Sequence, residues 1–544
     1  MTQFDVIFVL PYLFSDHPSF PEGILKRTLE DHGFSVGVIE TPSWQEPGSF
    51  SILGAPRLFF AIIPGPVDSV VLNYTSMRKR RQEDLYQKNG EAFFSGCPPS
   101  IKFKIRPDHT VVVFANRIRQ KFKDVPIIIG GVEATLRRFA HYDFQEDKIK
   151  RSILFDSRAD LLVTGMGEKQ IVAIAQKADA GLSLKEQDIN GTARITKDIS
   201  RFNHYELLPD MAAILNEPSK LVEAALKIES ARKWGKGIIQ PQDGRFIIEH
   251  PAQDYTTEDL NKIYGYPYTR SHPNSKTLSP ALQMNLFSVT SHRGCGGGCA
   301  FCSISLHEGK RIISRSPGSI LNEIENFNQH PRWNGMVSDI GGATAELYGN
   351  DCSNKRCKRL SCLSKEICPT VRSTDQYLEL LRQCRKVKGV RKILLGSGTR
   401  FDLLLQNPVL LEEILVFHAG KFLRVAPEHT EKHILDLMRK PGFEVFEEFI
   451  ALFNRINSKL KRKVELASYL IVGHPGENLK DVLRMAEHLK KLKIKTTDVQ
   501  VFTPTPGTLS TAMYYAGVSP DFKEIPVEKN IKELQKRKQI LTGR

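Results

Sequence analysis

Three closely spaced cysteines constrain this chain more than any other feature: Cys295, Cys299 and Cys302 lie in the run HRGCGGGCAFC. Three thiolates can hold three corners of a cubane [4Fe–4S] cluster and leave its fourth iron without a protein ligand. An iron without a protein ligand can bind a substrate, as the open coordination position of a catalytic metal site does. The glycines let the backbone wrap closely around the metal, because glycine reaches positive φ without steric cost.

Two simpler interpretations compete with the cluster. The cysteines could form a structural zinc knuckle, but zinc sites normally close with four ligands, and His292 or His307 would have to complete this one. They could also be ordinary thiols that happen to lie together. We favour the cluster, because the motifs that follow agree with it.

The length and composition are those of a globular protein. The 544 residues suffice for about three domains. The start, MTQFDVIFVLPYLF, has the pattern of a buried strand and not of a signal peptide. No apolar run approaches the roughly 20 residues that span a bilayer, so we expect a cytoplasmic protein without a membrane partner. Nine cysteines in motif spacing suit metal binding in a reducing compartment.

The order of apolar segments predicts an α/β protein with two main domains. Residues 1–180 alternate strand and helix, as in a doubly wound, mostly parallel sheet, and residues 181–282 form a connector. From 283 to 515, six strand–helix units predict a partial (β/α)6 barrel of the TIM type, followed by a basic tail over 516–544. The strands that we predict in the first domain are 4–10, 35–40, 68–73, 125–130 and 160–164. Those of the barrel are 284–290, 336–340, 392–395, 422–425, 464–471 and 498–502.

A second set of cysteines lies in an insertion of the barrel, residues 351–369. Four thiolates within 17 residues can close a structural zinc site or an auxiliary iron–sulfur cluster, and their neighbours are polar. The spacing is unlike the paired C-x2-C of a zinc ribbon. We favour a metal over free thiols, and the sequence leaves iron–sulfur and zinc both open. The cysteines are Cys352, Cys357, Cys362 and Cys368.

The C-x3-C-x2-C spacing, with Phe301 before its last cysteine, resembles the signature of the radical S-adenosylmethionine (SAM) enzymes. In that superfamily the open iron binds the amino and carboxylate groups of SAM. The cluster then passes one electron to the sulfonium, which releases a 5′-deoxyadenosyl radical. The resemblance implies a [4Fe–4S] cluster, SAM and a separate electron donor such as flavodoxin or ferredoxin.

The same resemblance suggests roles for residues at the ends of the barrel strands. Gly341 and Gly342 stand where the backbone of a GGE motif binds the amino group of SAM, although a paired glycine after a strand is often only a turn. Arg400 could pair with the SAM carboxylate through its planar fork, or form an ordinary salt bridge. Glu428 and His429, in the run APEH, are candidates for contacts to the ribose and carboxylate, with helix capping as the alternative.

The N-terminal domain is similar to the cobalamin-binding-like domain that precedes the radical core in one group of these enzymes. Members that bind cobalamin base-off usually carry D-x-H-x-x-G, whereas Asp16 and His17 are adjacent here. We therefore do not expect cobalamin to bind. A closer resemblance is carried by the motifs DHPSF at 16–20, GGVEA at 130–134, the cluster loop, the extra cysteines and APEH. With these motifs the chain resembles the YgiQ family of radical SAM proteins over residues 4–520, a family without an established reaction.

The leading hypothesis is an enzyme that cleaves SAM reductively and directs the radical to an unidentified substrate, which could be RNA or protein. The formal charge of +16 could attract RNA, although basic runs on helices are more often solvated faces. One alternative is a methylthiotransferase-like RNA modifier, but such enzymes carry three cysteines in the N-terminal domain, where this chain has only Cys97. The other is a non-catalytic, metal-stabilised RNA-binding protein.

Overall fold

The computed structural model describes residues 3–95, 103–273, 277–352, 357, 359–371, 373–396, 398–496 and 498–543. The chain divides into two compact units. The first consists of Met1–Asp254, Tyr266–Leu286 and Thr505–Gly507, and the second of Tyr255–Gly265, Phe287–Pro504 and Thr508–Arg544. Within the described residues, no helix combines the length and the apolar character needed to cross a bilayer.

The first unit is built on one nine-stranded sheet. Five of its strands pair in parallel, and their side chains alternate between two faces that are both buried. Ile7 and Val9 pack into one apolar core, and Val6 and Phe8 into the other. The parallel strands stand in the spatial order Val36–Glu40, Val6–Leu10, Phe59–Ile62, Ile127–Ile129 and Leu161–Val163.

Helices cover both faces of this sheet, which confirms the doubly wound fold. Thr110–Lys121 packs on the core that contains Ile7, and Pro21–Asp31 with Glu168–Asp179 on the core that contains Val6. Segment 181–282, which we predicted as a connector, extends the sheet by four strands: Thr192–Thr196, Arg245–Glu249, Ile238–Gln242 and Glu206–Leu207. The other helices of this unit are Ser69–Asn73, Gly131–Leu136, Ile153–Ser157, Met211–Asn216, Ser219–Lys233 and Pro280–Asn285.

One predicted strand is wrong and another begins too early, each for a local reason. The segment 68–73 is a helix, Ser69–Asn73, because the Asp68 side chain accepts hydrogen bonds from the backbone N–H groups of Val70 and Val71 and so caps it. The third strand is instead Phe59–Ile62. The segment 284–290 begins inside the helix Pro280–Asn285, which Ser279 caps, and the strand is only Ser288–Thr290.

The second unit contains the parallel strands of the partial barrel in sequential order. Ser288–Thr290 pairs with Asp339–Gly341, and Met336–Val337 pairs with Lys392–Ile393. A parallel bridge between Thr399 and Val425 leads to the next strand. The last three strands, Phe422–Glu428, Glu465–Val472 and Asp498–Val501, form one ladder. All these pairings are parallel, which confirms the fold class.

Helices follow the barrel strands and bury their apolar faces against them. The cysteine-rich insertion lies between the second strand and the helix Asp375–Arg385. Residues 516–544, which we predicted as a tail, include the helix Ile531–Thr542, whose Arg537 donates to the buried Glu477. The main helices are Thr257–Tyr264, Pro317–Asn326, Asp375–Arg385, Phe401–Gln406, Pro408–Glu413, Lys432–Met438, Phe443–Asn457, Leu479–Lys491, Leu509–Ala516 and Ile531–Thr542. The domain limits that we drew from the sequence stay a prediction.

Candidate iron–sulfur and SAM site

The cysteine loop leaves the C-terminal end of the first barrel strand and is closed by a short hairpin. His292–Arg293 pairs antiparallel with Ile313–Ser314, and the backbone N–H of Cys295 donates to the carbonyl of Gly309 at 3.0 Å. Gly298 has φ +61°, and a Cβ at this residue would lie 2.4 Å from the carbonyl oxygen of Leu360. Only glycine therefore fits at this position of the loop.

The far end of the loop is held by two other segments of the same unit. The backbone N–H of Ala300 donates to the carbonyl of Met438, and the carbonyl of Ala300 accepts from the backbone N–H of Ser510, both at 3.0 Å. Phe301 lies edge-on to the buried His474, with ring centroids 6.5 Å apart. The loop is thus fixed between its second and third cysteines.

Cys295, Cys299 and Cys302 line one cavity of about 230 Å³, at the C-terminal ends of the barrel strands. Burial raises the pKa of the Cys295 thiol. The hydroxyl oxygen of Thr344 lies 3.6 Å from the Cys295 sulfur. Burial also raises the pKa of Cys302 to about 12. Burial therefore favours the protonated form of these two thiols, so any metal that they bind has to displace the protons.

A buried ion pair lies beside the cysteines. Arg400 donates through Nε and Nη2 to the two carboxylate oxygens of Asp402, at 2.9 and 2.6 Å. Burial by itself lowers the pKa of Arg400, but the Asp402 carboxylate raises it well above its usual range. Nη1 of Arg400 lies 3.6 Å from the point that a Cβ on Gly297 would occupy, and the Cys295 sulfur lies 3.4 Å from the same point. The guanidinium therefore reaches the cysteine loop.

A second ion pair, Glu428 with Lys440, lies on the same cavity. Glu428 ends its strand at φ +70°, a strained conformation for a residue other than glycine. Its Oε1 is 3.6 Å from Nζ of Lys440, and burial raises the pKa of Glu428 despite this neighbour. Lys440 reaches this position because Arg439 turns the chain at φ +58° after the helix Lys432–Met438.

The comparisons with known proteins cover nearly the whole chain. The family model described as "Radical SAM N-terminal" matches residues 1–288. Proteins named UPF0313 are 39% identical in Methanosarcina mazei (95% of this chain, 88% of the relative) and 40% identical in Methanocella arvoryzae (99% and 90%). A UPF0313 protein of Geobacter sulfurreducens is 39% identical over 99% of this chain and 89% of its own length.

The chain belongs to the UPF0313, or YgiQ, family of radical SAM proteins. Its fold is similar to that of TsrM, a radical S-adenosylmethionine methyltransferase from Kitasatospora setae solved with cobalamin and a [4Fe–4S] cluster bound. The TM-score is 0.53 at 14% identity, over 94% of this chain and 74% of TsrM. A TsrM structure with tryptophan and a SAM analogue gives 0.52 at the same identity, over 92% of this chain and 74% of TsrM. At this identity the likeness shows the fold alone.

The donor set fits the cluster that a radical SAM protein requires. Thiolates are the ligands of iron–sulfur clusters, and these three stand around a cavity with room left beside them. Among the described residues, no three potential metal-binding side chains that include a cysteine lie within 4.8 Å of one another. Four ligands around one zinc ion stand about 3.8 Å apart, given Zn–S bonds of about 2.3 Å. The thiols are therefore spaced too widely for a preformed zinc knuckle.

The structure brings some of the other predicted site residues to this cavity and not all of them. Arg400 and Glu428 line it. Gly341 instead accepts from the backbone N–H of Ser291 at 2.7 Å, and a Cβ on Gly342 would lie 2.7 Å from the carbonyl of His292. The next two residues of the chain, Ala343 and Thr344, form that part of the wall. Roles for Gly341 and Gly342 toward SAM stay a prediction.

His429 faces another part of the fold. It is fully buried, its Nε2 lies 3.3 Å from the carboxylate of Glu477, and its Nδ1 accepts from the backbone N–H of Glu431. Sequence reasoning gave no role to Asp402 or Lys440. Asp402 had a local signal, since it follows Arg400 by two residues in the first turn of a helix. No local sequence signal pointed to Lys440, because its contact with Glu428 is created by the folding of the barrel.

Proposed function

We propose that the chain binds a [4Fe–4S] cluster through Cys295, Cys299 and Cys302, with SAM beside it in the same cavity. The cluster, once reduced by an external electron donor, would supply the electron that cleaves SAM to a 5′-deoxyadenosyl radical, which acts on an unidentified substrate. The observation that carries this proposal is the convergence of the three cysteines, Arg400 and Glu428 on one cavity.

The charged residues of the cavity suit a ligand with the charges of SAM. We infer that Arg400, held in place by Asp402, contributes a donor for the SAM carboxylate. Glu428 is an acceptor for the ribose hydroxyls or the amino group. The low exposure of both side chains restricts water access, which strengthens every such contact.

We further propose that this function does not use cobalamin. The Asp16 carboxylate accepts from Arg27 and from the backbone and hydroxyl of Thr269. The ring of His17 is fully buried: its Nδ1 accepts from the backbone N–H of Ser19 at 3.0 Å, and its Nε2 lies 2.7 Å from Nη1 of Arg270. Both nitrogens are engaged, so His17 is not available to ligate cobalt. Stoichiometric binding of hydroxocobalamin by the parent, whether or not it persists in His17→Ala, would contradict this.

The test is production of 5′-deoxyadenosine by protein purified and reconstituted with iron and sulfide under anaerobic conditions. With SAM and dithionite, we expect the parent to form it and Cys299→Ala to form none. Cys384→Ala is the matched control, because Cys384 is a buried thiol of the helix Asp375–Arg385 that does not line the cavity. A cluster-loaded parent that neither forms 5′-deoxyadenosine nor binds SAM would refute the proposal.

A further inference from the structure

The four cysteines of the insertion, Cys352, Cys357, Cys362 and Cys368, are not used by the proposed SAM chemistry. All four are described, while residues 353–356 and 358 between them are not. The electrostatic neighbours of the Cys362 thiol are the other three thiols and the ammonium group of Lys310. The fold therefore brings the other three thiols within electrostatic range of Cys362, although the four cysteines are spread over 17 residues of sequence.

Two of these cysteines have a fixed backbone. The N–H of Cys368 donates to the carbonyl of Cys362 at 2.7 Å, which holds the two residues side by side. Cys368 is buried in an apolar cluster with Ile312, Leu347 and Leu363, and Cys362 packs against that cluster. Half of the thiol set is therefore positioned by the core of the barrel unit before any metal binds.

The four thiols are spaced too widely for a preformed site that holds a single zinc ion. No three cysteine sulfurs in the described part of the chain lie within 4.8 Å of one another, whereas ligands of one tetrahedral zinc stand about 3.8 Å apart. In an iron–sulfur cluster the iron and sulfide atoms lie between the cysteine sulfurs, which are then farther apart. Four cysteines also match the number of ligands that close a [4Fe–4S] cluster.

The insertion lies directly against the loop that carries the first three cysteines. The N–H of Cys362 donates to the carbonyl of Gly296 at 2.7 Å, and the hydroxyl of Ser361 donates to the carbonyl of Gly297 at 2.5 Å. A Cβ on Gly296 would lie 3.2 Å from the Cys362 sulfur. Two consecutive residues of the insertion thus donate hydrogen bonds to two consecutive residues of the cluster loop.

We propose that Cys352, Cys357, Cys362 and Cys368 bind a second iron–sulfur cluster, which holds the insertion against the loop of Cys295, Cys299 and Cys302. A cluster closed by four cysteines has no open iron, so it binds no SAM. Because this second cluster would lie beside the loop, its role is to stabilise the position of the first three cysteines and not to carry out a reaction of its own.

The test counts metals in three proteins reconstituted anaerobically: the parent, the triple variant Cys295→Ala/Cys299→Ala/Cys302→Ala, and Cys357→Ala. We expect about eight iron atoms and eight sulfides per chain in the parent, and about four of each in the triple variant. The dithionite-reduced triple variant should give a cluster spectrum by electron paramagnetic resonance that SAM does not change. This readout does not depend on SAM cleavage, so the two proposals fail separately.

Cys357→Ala is the complementary variant, because Cys357 makes neither of the described hydrogen bonds to the cluster loop. We expect it to keep about four iron atoms and a spectrum that SAM does change. The proposal would be overturned if the parent bound only about four iron atoms together with one equivalent of zinc. It would also be overturned if the parent bound about four iron atoms and the four cysteines of the insertion titrated as free thiols. Iron bound by the parent but absent from a triple variant whose melting temperature is unchanged would overturn it as well.

Discussion

The pair Arg400–Asp402 allows the role of Arg400 toward SAM to be separated from its role in the fold. Both side chains are nearly buried, and the guanidinium donates two hydrogen bonds to the carboxylate. Removing one partner of such a pair leaves an uncompensated buried charge and costs about 3–5 kcal/mol. We therefore expect Arg400→Gln and Asp402→Asn each to lower the melting temperature clearly, and the double variant to recover most of the loss.

The affinity for SAM should follow a different pattern. A hydrogen bond to a charged group contributes about 1.5–3 kcal/mol, which corresponds to roughly 10- to 150-fold in Kd. If Arg400 binds the SAM carboxylate, Arg400→Gln and the double variant both lose this affinity, although the double variant is stable. Equilibrium dialysis with the anaerobic, cluster-loaded proteins measures it, with iron content as the control for equal loading. Parent-like SAM affinity in the double variant would refute the role of Arg400 and leave it a structural ion pair.

Two further predictions concern single positions in the two units. Gly298→Ala should lower the iron bound after reconstitution, because φ +61° costs about 1–2 kcal/mol for alanine and its Cβ would meet the Leu360 carbonyl. Gly318→Ala, with nothing within 4 Å, should behave as the parent, and equal iron in both variants would contradict the reasoning. Burial raises the pKa of Glu22 to about 8, and Tyr12 donates to its carboxyl group at 2.8 Å. Glu22→Gln should therefore flatten the dependence of the melting temperature on pH.

The sign of the Glu22 prediction follows from the direction of the shift. The pKa is about 8 in the folded chain and 4.5 in the reference state, so the folded state holds the proton more tightly. The stabilisation is complete below pH 4.5 and is lost as the pH rises through about 8. Thermal denaturation between pH 5 and 9 would show a steeper fall for the parent than for Glu22→Gln. Parallel curves would mean that Glu22 is ionised in the folded protein.

Residues 68–73 show that a local apolar pattern does not always distinguish a strand from a helix. The run Val70-Val71-Leu72 has strand propensity, but Asp68 caps a helix there and also pairs with Arg137, which lies 69 residues later. The true strand Phe59–Ile62 is just as apolar. Which of two short apolar runs enters a sheet depends on the neighbouring strands and side chains that the rest of the chain supplies. Strand propensity is a local property and carries no information about these partners.

The sequence alone determined the family, the α/β class and the order of the strand–helix units. It could do so because cysteine spacing, apolar periodicity and glycine at tight loops are local properties of the chain. Tertiary structure decided which side chains face the cavity: Arg400 and Glu428 do, with Asp402 and Lys440 as their partners, and His429 turns to Glu477 instead. It also placed Cys362 against Gly296, 66 residues away in sequence. Side-chain direction and long-range pairing depend on how strands and helices pack, because packing sets which distant residues meet.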